Sequence, residues 1–235
     1  MKTEEFIQNL LTQYHFIQVL SQKNGAKILR LRHTSLGQDM VVRIYQVPVP
    51  AYDMLKTVKH KNLPEIYETI QCEDGQIVLE EYIDGLSAAE VLETGTYTYA
   101  GARKVLYGVC AAVQTLHAMH IVHRDIKPEN VMITRDGIVK LIDLNASREM
   151  TKNAQEKDTV ILGTVGYAPP EQFGIGVSDT RADIYALGVL LNVMLTGEHP
   201  SRVLAKGRAR KNVEKCTSIA PQSRFSSVEK FMLAL

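Results

Sequence analysis

Residues 121–145, IVHRDIKPENVMITRDGIVKLIDLN, constrain this chain more than any other stretch. Asp125 and Asn130 lie on a short polar loop stiffened by Pro128, whose ring fixes one backbone dihedral. Asp143 ends an apolar strand, Val139-Lys140-Leu141-Ile142. A turn at Arg135-Asp136-Gly137 can fold that strand back beside Val131-Met132-Ile133. The fold-back brings Asp143 close to Asn130. Converging oxygen ligands of this kind suit Mg²⁺ carrying phosphates. Lys127 stands nearby as a fixed cation for developing charge.

The rest of the chain divides by pattern. An amphipathic helix is predicted over residues 3–12, with Phe6, Ile7, Leu10 and Leu11 on one face. Strands follow at 14–20, 27–33 and 39–46, then a short helix over 51–59 with Pro50 in its first turn. A hairpin over 65–72 and 76–80 turns at Glu73-Asp74-Gly75, and 81–85 is a crossing segment. Beyond Leu86 the pattern becomes helical. Helices are predicted at 87–93, at 99–120 with Thr98 as N-cap, and at 180–195 capped by Ser178 or Asp179. Two more are expected, near 213–218 and from Ser226. A polar loop is expected over 146–158.

His123-Arg124-Asp125-Ile126-Lys127-Pro128-Glu129-Asn130 resembles the catalytic loop of eukaryotic-type (Hanks-type) Ser/Thr protein kinases, residue for residue. The resemblance extends from about Tyr14 to the end of the chain. It implies an α+β, protein-kinase-like bilobal fold, with a small β-rich N-lobe (1–81), a hinge (82–85) and a larger α-helical C-lobe (86–235). It implies ATP and Mg²⁺ as cofactors and a protein substrate with a Ser or Thr acceptor. Asp125 and Lys127 would be catalytic, and Asn130 and Asp143 would hold the metal. Nucleotide contacts would come from Ile28, Val41, Arg43, Glu81, Ile83, Lys127, Asn130, Met132 and Asp143. Residues 163–172 look like the substrate-docking end of an activation segment, with Thr164 at the catalytic site and Thr159 or Thr151 as candidate phosphoacceptors for Arg124. Glu171 would pair with Arg224. Asp183 would support the loop backbone, and His123 would pack rather than titrate.

The N-terminal part departs from the family. Ser21, Lys23 and Ala26 stand at the three glycine positions of the phosphate loop, and Gly25 is off register. Arg43 replaces the strand lysine, an exchange that is not conservative. Ala51 falls where the family's helix has its glutamate. Asp53 lies two residues on, roughly 200° round a helix. Asp143-Leu144-Asn145 replaces Asp-Phe-Gly, with Asn145 able to take left-handed geometry. The polar Glu80, or Leu79 in the neighbouring alignment, occupies the gatekeeper position.

Two functions fit these residues: a working Ser/Thr kinase, or a pseudokinase that binds nucleotide or acts as a scaffold. A small-molecule kinase on the same fold fits the docking segment less well. With net charge +1, nothing points to a nucleic-acid or membrane partner. The three cysteines (Cys72, Cys110, Cys216) form no metal-ligand spacing and suggest buried thiols in a reducing compartment. No signal-peptide pattern or long apolar run is present, so a cytoplasmic location is expected.

Overall fold

The computed structural model describes residues 1–23, 25–150, 164, 166–173 and 179–235. They form two compact units, Met1–His60 with Pro64–Ile83, and Lys61–Leu63 with Asp84–Leu235.

The first unit begins with helix α1 (Thr3–Leu10). Its five strands are β1 (Tyr14–Lys23), β2 (Ala26–His33), β3 (Asp39–Tyr45), β4 (Ile66–Cys72) and β5 (Gly75–Glu81). They form one sheet in the order β1-β2-β3-β5-β4, all neighbours antiparallel. Side chains alternate between faces along a strand. The pairings Leu29↔Val42 and Leu31↔Met40 therefore place four apolar residues on one face, where they form a buried core with Ile77. Phe6, Ile7 and Leu10 of α1, with Leu11 just after it, cover that core, which is why the helix survives despite its length. The turn between β4 and β5 anchors the start of α1. Asp74 accepts from the Thr3 backbone N–H (2.8 Å) and hydroxyl (2.9 Å), meeting donors that a helix start leaves unsatisfied.

The opposite face carries Arg43 and Glu80 and meets helix α2 (Pro50–Leu55) through stacked Tyr45 and Tyr52, 5.7 Å between ring centroids. Helix α2 is shorter than the predicted 51–59. Pro50 starts it as expected, but its buried residues are Ala51, Tyr52 and Leu55, a single turn's worth of anchoring. At the far edge, β1 and β2 pair down to Lys23↔Ala26, and Gly25 takes φ +73° in the tight turn between them.

The second unit is helical with small sheets. Strand β6 (Gly85–Ser87) leads into α3 (Ala88–Thr94) and α4 (Tyr99–Ala118). Thr98 accepts from the Gly101 N–H (3.1 Å), so the expected N-cap forms. Strand β7 (Ile121–Val122) precedes the polar loop, and β8 (Val131–Thr134) and β9 (Val139–Leu141) form the hairpin, with β8 also pairing β6. Strand β10 (Arg148–Glu149) pairs with β7, so the expected polar loop over 146–158 contains a short strand. Helix α5 (Thr180–Thr196) is capped by Asp179, which accepts from Arg181 N at 2.8 Å. Helices α6 (Gly207–Cys216) and α7 (Val228–Ala234) complete the unit. Helix α6 starts six residues before its predicted position near 213. Its buried positions, Ala209, Asn212, Val213 and Cys216, follow helical spacing but include small and polar residues that mask the pattern. All three cysteines are free thiols, and burial raises the pKa of Cys110 and Cys216. Among the described residues no helix is long and apolar enough to cross a membrane.

Candidate active site

In the second unit, the start of the loop that follows β7 is held by one buried carboxylate. Asp183, in the first turn of α5, accepts from the backbone N–H groups of His123 (2.9 Å) and Arg124 (2.8 Å). His117 Nε2 lies 2.8 Å from the same group. Arg124 has φ +69°, a left-handed geometry that costs a non-glycine residue roughly 1–2 kcal/mol. The paired amide bonds to Asp183 sustain it. Burial opposes ionisation of Asp183, but the His117 contact and the backbone N–H donors more than offset this and hold its pKa below the ordinary value.

His123 is fully buried, and burial lowers its pKa. Its Nδ1 accepts from the Asp125 N–H (3.3 Å), which leaves Nε2 to donate to the Ile142 carbonyl (3.3 Å). A neutral ring with the proton on Nε2 satisfies both contacts, so His123 packs and orients rather than transferring protons.

Asp125 is the hub. Its Oδ2 meets Lys127 Nζ at 2.7 Å and Asn130 Nδ2 at 2.9 Å. Its Oδ1 accepts from the Thr164 hydroxyl (2.8 Å) and N–H (3.2 Å), and Lys127 Nζ also donates to the Thr164 hydroxyl (2.6 Å). Burial favours the protonated acid. Lys127 and Thr164 outweigh it, keeping the pKa below the usual Asp range and the group ionised at neutral pH.

Asn130 donates from Nδ2 to Asp125 on both its carbonyl (2.8 Å) and its carboxylate. Its carboxamide oxygen is therefore the atom it can offer a cation. The Ile142 N–H donates to the Asn130 carbonyl (2.9 Å), which seats Asp143 one residue beyond that contact. The hairpin of β8 and β9 thus joins these two residues as the sequence suggests. Asp143 itself takes φ +69°, and its Oδ1 accepts from the Asn145 N–H at 3.3 Å. The left-handed residue is Asp143, and Asn145 has no positive φ, so the geometry expected of Asn145 belongs two positions earlier. Among the described residues no group of three or more His, Cys, Asp or Glu could hold a metal alone. The oxygen donors of Asn130 and Asp143 fit Mg²⁺ that takes its other ligands from phosphates and water.

In the first unit, Arg43 and Glu80 are both buried, with Arg43 Nε 2.7 Å from Glu80 Oε1. Ile28 lies opposite Arg43 across β2 and β3, and Val41 lies opposite Glu80 across β3 and β5. Glu81 ends β5 with its N–H on the Glu65 carbonyl (2.9 Å), and its carboxylate accepts from Glu65 N–H (3.0 Å). Ile83 is buried at the end of this unit, whereas Met132 lies in the second unit, on β8 opposite Ser87 and Lys140.

A protein kinase domain profile matches residues 27–232. The chain belongs to the protein kinase domain family. It is 27% identical over 211 residues to the "Serine/threonine-protein kinase PknB" of Mycolicibacterium smegmatis, covering 82% of this chain and 34% of that protein. It is 31% identical over 183 residues to the "Serine/threonine-protein kinase PrkC" of Bacillus subtilis, covering 77% of this chain and 28% of that protein. The kinase domain here thus spans about a third of each relative.

Further features of the kinase domain fall where the sequence suggests. Arg224 grips Glu171 with both terminal nitrogens, at 2.5 and 2.9 Å, and also donates to the carbonyls of Ser218, Ile219 and Arg181. Thr164 reaches Asp125 directly. Gln172, which sequence reasoning passed over, donates to the Arg124 carbonyl at 2.9 Å. Thr151, Thr159, Gly163, Val165 and Ser178 lie outside the described residues. The partner of Arg43 was also missed. Its signal was a pair of opposite anomalies, Arg43 and Glu80, on strands that the kinase pattern places side by side.

Proposed function

We propose that this chain is a Ser/Thr protein kinase domain that transfers the γ-phosphoryl group of ATP to Ser or Thr hydroxyls of proteins. In this proposal residues 1–235 form one kinase domain, with 1–81 and 86–235 as its lobes and 82–85 as the hinge. The observation that carries it is the Asp125 cluster: a carboxylate kept ionised and oriented by Lys127, Thr164 and Asn130. Charge is concentrated there at a cost in desolvation that packing alone does not require.

Phosphoryl transfer depends mainly on positioning and charge stabilisation. The acceptor hydroxyl oxygen forms a bond to the γ-phosphorus while the bond from that phosphorus to the bridging oxygen breaks and ADP leaves. Asp125 orients the hydroxyl and takes its proton. Lys127 steadies the transferring group, and Asn130 and Asp143 would hold the metal. Mg²⁺, when bound, neutralises the phosphate charge. Ile28, Val41 and Met132 would face the adenine ring, Glu81 and Ile83 would serve it from the hinge, and Arg43 would meet the phosphates.

A second proposal, a pseudokinase that binds nucleotide or acts as a scaffold, draws on a different observation. The β1–β2 turn lacks the family's three glycines, so close backbone approach to phosphates is reduced. Purified protein with Mg²⁺ and labelled ATP separates the two. The kinase proposal expects labelling of the chain itself or of a generic basic protein, abolished in Asp125→Asn with the fold intact. Equal labelling in both proteins sinks it, and no labelling with retained ATP binding favours the pseudokinase.

A further inference from the structure

Three departures from the kinase pattern converge on one contact. The strand lysine is Arg43, the helix glutamate is absent, and an acid, Glu80, stands inside β5. In the register of β3 and β5, Val41 faces Glu80 and Arg43 faces Val78. Arg43 and Glu80 are therefore diagonal neighbours on one face, within reach of long side chains. Their side chains are 4% and 3% exposed, with 2.7 Å between Nε and Oε1. A buried guanidinium without a counter-charge carries a large desolvation penalty, so the acid is required where it stands. Helix α2 supplies an aromatic wall: the guanidinium lies 6.0 Å from the Tyr52 ring centroid. The helix supplies no acid to Arg43. Ala51 is buried and apolar, and the Asp53 carboxylate turns to the side-chain amides of Gln71 and Gln76, each at 3.4 Å.

We propose that Glu80 is the positioning residue for Arg43, replacing from within the sheet the acid that kinases of this pattern carry on the helix. The proposal rests on the nucleotide-binding role of Arg43 given above. The choice of Arg over Lys follows from shape. Arginine carries five N–H donors in a rigid fork, and here it is Nε, the donor nearest the backbone, that bonds Glu80. A lysine has one ammonium, which would have to serve both the acid and a phosphate. Because both members of the pair belong to one hydrogen-bonded sheet, their spacing does not depend on where α2 sits. The phosphate-facing cation is set by the fold of the sheet, and α2 is released from that task.

The test is a double-mutant cycle on the full chain, reading the dissociation constant of Mg²⁺-ATP, and the KM for ATP against kcat. Glu80→Gln, nearly isosteric, should weaken ATP binding about tenfold, within the usual range for coupled neighbours. In an Arg43→Met background the same change should alter binding less than twofold. Glu80→Asp should give a partial loss, and Arg43→Lys should lose binding. Asp53→Asn should leave it within twofold of wild type. Removing both charges in Arg43→Met/Glu80→Met provides a folded reference, checked by circular dichroism, should a single variant fail to fold. Folded Glu80→Gln that binds ATP as wild type does, or an equal loss in both backgrounds, overturns the inference. A wild type that binds ATP through this pair but transfers no phosphate overturns only the enzymatic proposal. Transfer that persists with binding indifferent to Glu80 overturns only this one.

Discussion

Asp183 is fully buried and keeps its charge because three donors surround it, two of them backbone amides of the loop that follows β7. Its pKa is held below the ordinary value of about 3.9, so its contribution to stability is present above about pH 4 and lost as pH falls through the folded pKa. His123 acts in the same direction at milder acidity. Its folded pKa is depressed below about 6.5, so the unfolded chain binds the proton first and stability declines once pH drops below that point. Urea midpoints measured from pH 7 to pH 4 should therefore fall, beginning near pH 6.5. A midpoint that stays level across pH 6.5–5 would contradict the buried, neutral His123. Arg224 makes a second test. Replacing it by Met strands the Glu171 carboxylate and three carbonyls, and should cost about 3–5 kcal/mol in urea unfolding, nearer the lower figure because Glu171 is 11% exposed. The Glu171–Arg224 pair was legible from the kinase pattern, since each residue sits in a recognisable motif. The Arg43–Glu80 pair was not, because each residue alone reads as a defect and only strand register makes them partners.

The helices show which local signals suffice. Thr98 and Asp179 cap α4 and α5 as their side-chain chemistry directs. Thr98→Ala should lower stability by about 1 kcal/mol, seen in a denaturant midpoint, with an unchanged circular dichroism spectrum. Helix α5 also depends on a missing side chain. A Cβ built on Gly188 would lie 2.3 Å from the Cys216 Cβ of α6. Gly188→Ala would improve intrinsic helix propensity by roughly 1 kcal/mol yet is expected to destabilise by about 1–3 kcal/mol, because both helices are buried there and must separate. A stabilised variant would show that α5 and α6 do not pack as described. Helices α2 and α6 were harder to bound. Pro50 marks the start of α2, but no local breaker marks its end. Helix α6 opens on Gly207-Arg208-Ala209-Arg210, where the buried face is carried by Ala209 and later by Asn212, whose amide donates to the Ala234 carbonyl at 2.9 Å. Apolar periodicity is silent where small or hydrogen-bonded polar residues fill the core.

At the scale of the whole molecule, ligand binding to the folded chain alone should raise its melting temperature by mass action. Mg²⁺-ATP at a hundred times its dissociation constant adds about 2.7 kcal/mol, or a shift of roughly 5–10 °C for a chain of this size. Asp143→Asn should remove most of the Mg²⁺-dependent part of that shift, and an undiminished shift in a scanning melt would remove Asp143 from the metal site. The sequence by itself determined the family, the α+β class and the Asp125, Lys127, Asn130 cluster. Those residues lie within six positions of one another, and a single loop suffices to gather them. What only the tertiary structure decided is the electrostatic environment of Arg43. Arg43 and Glu80 lie 37 residues apart, and nothing local joins them. They meet because β3 and β5 pair in one particular register, and a slip of one residue would turn either side chain to the other face of the sheet.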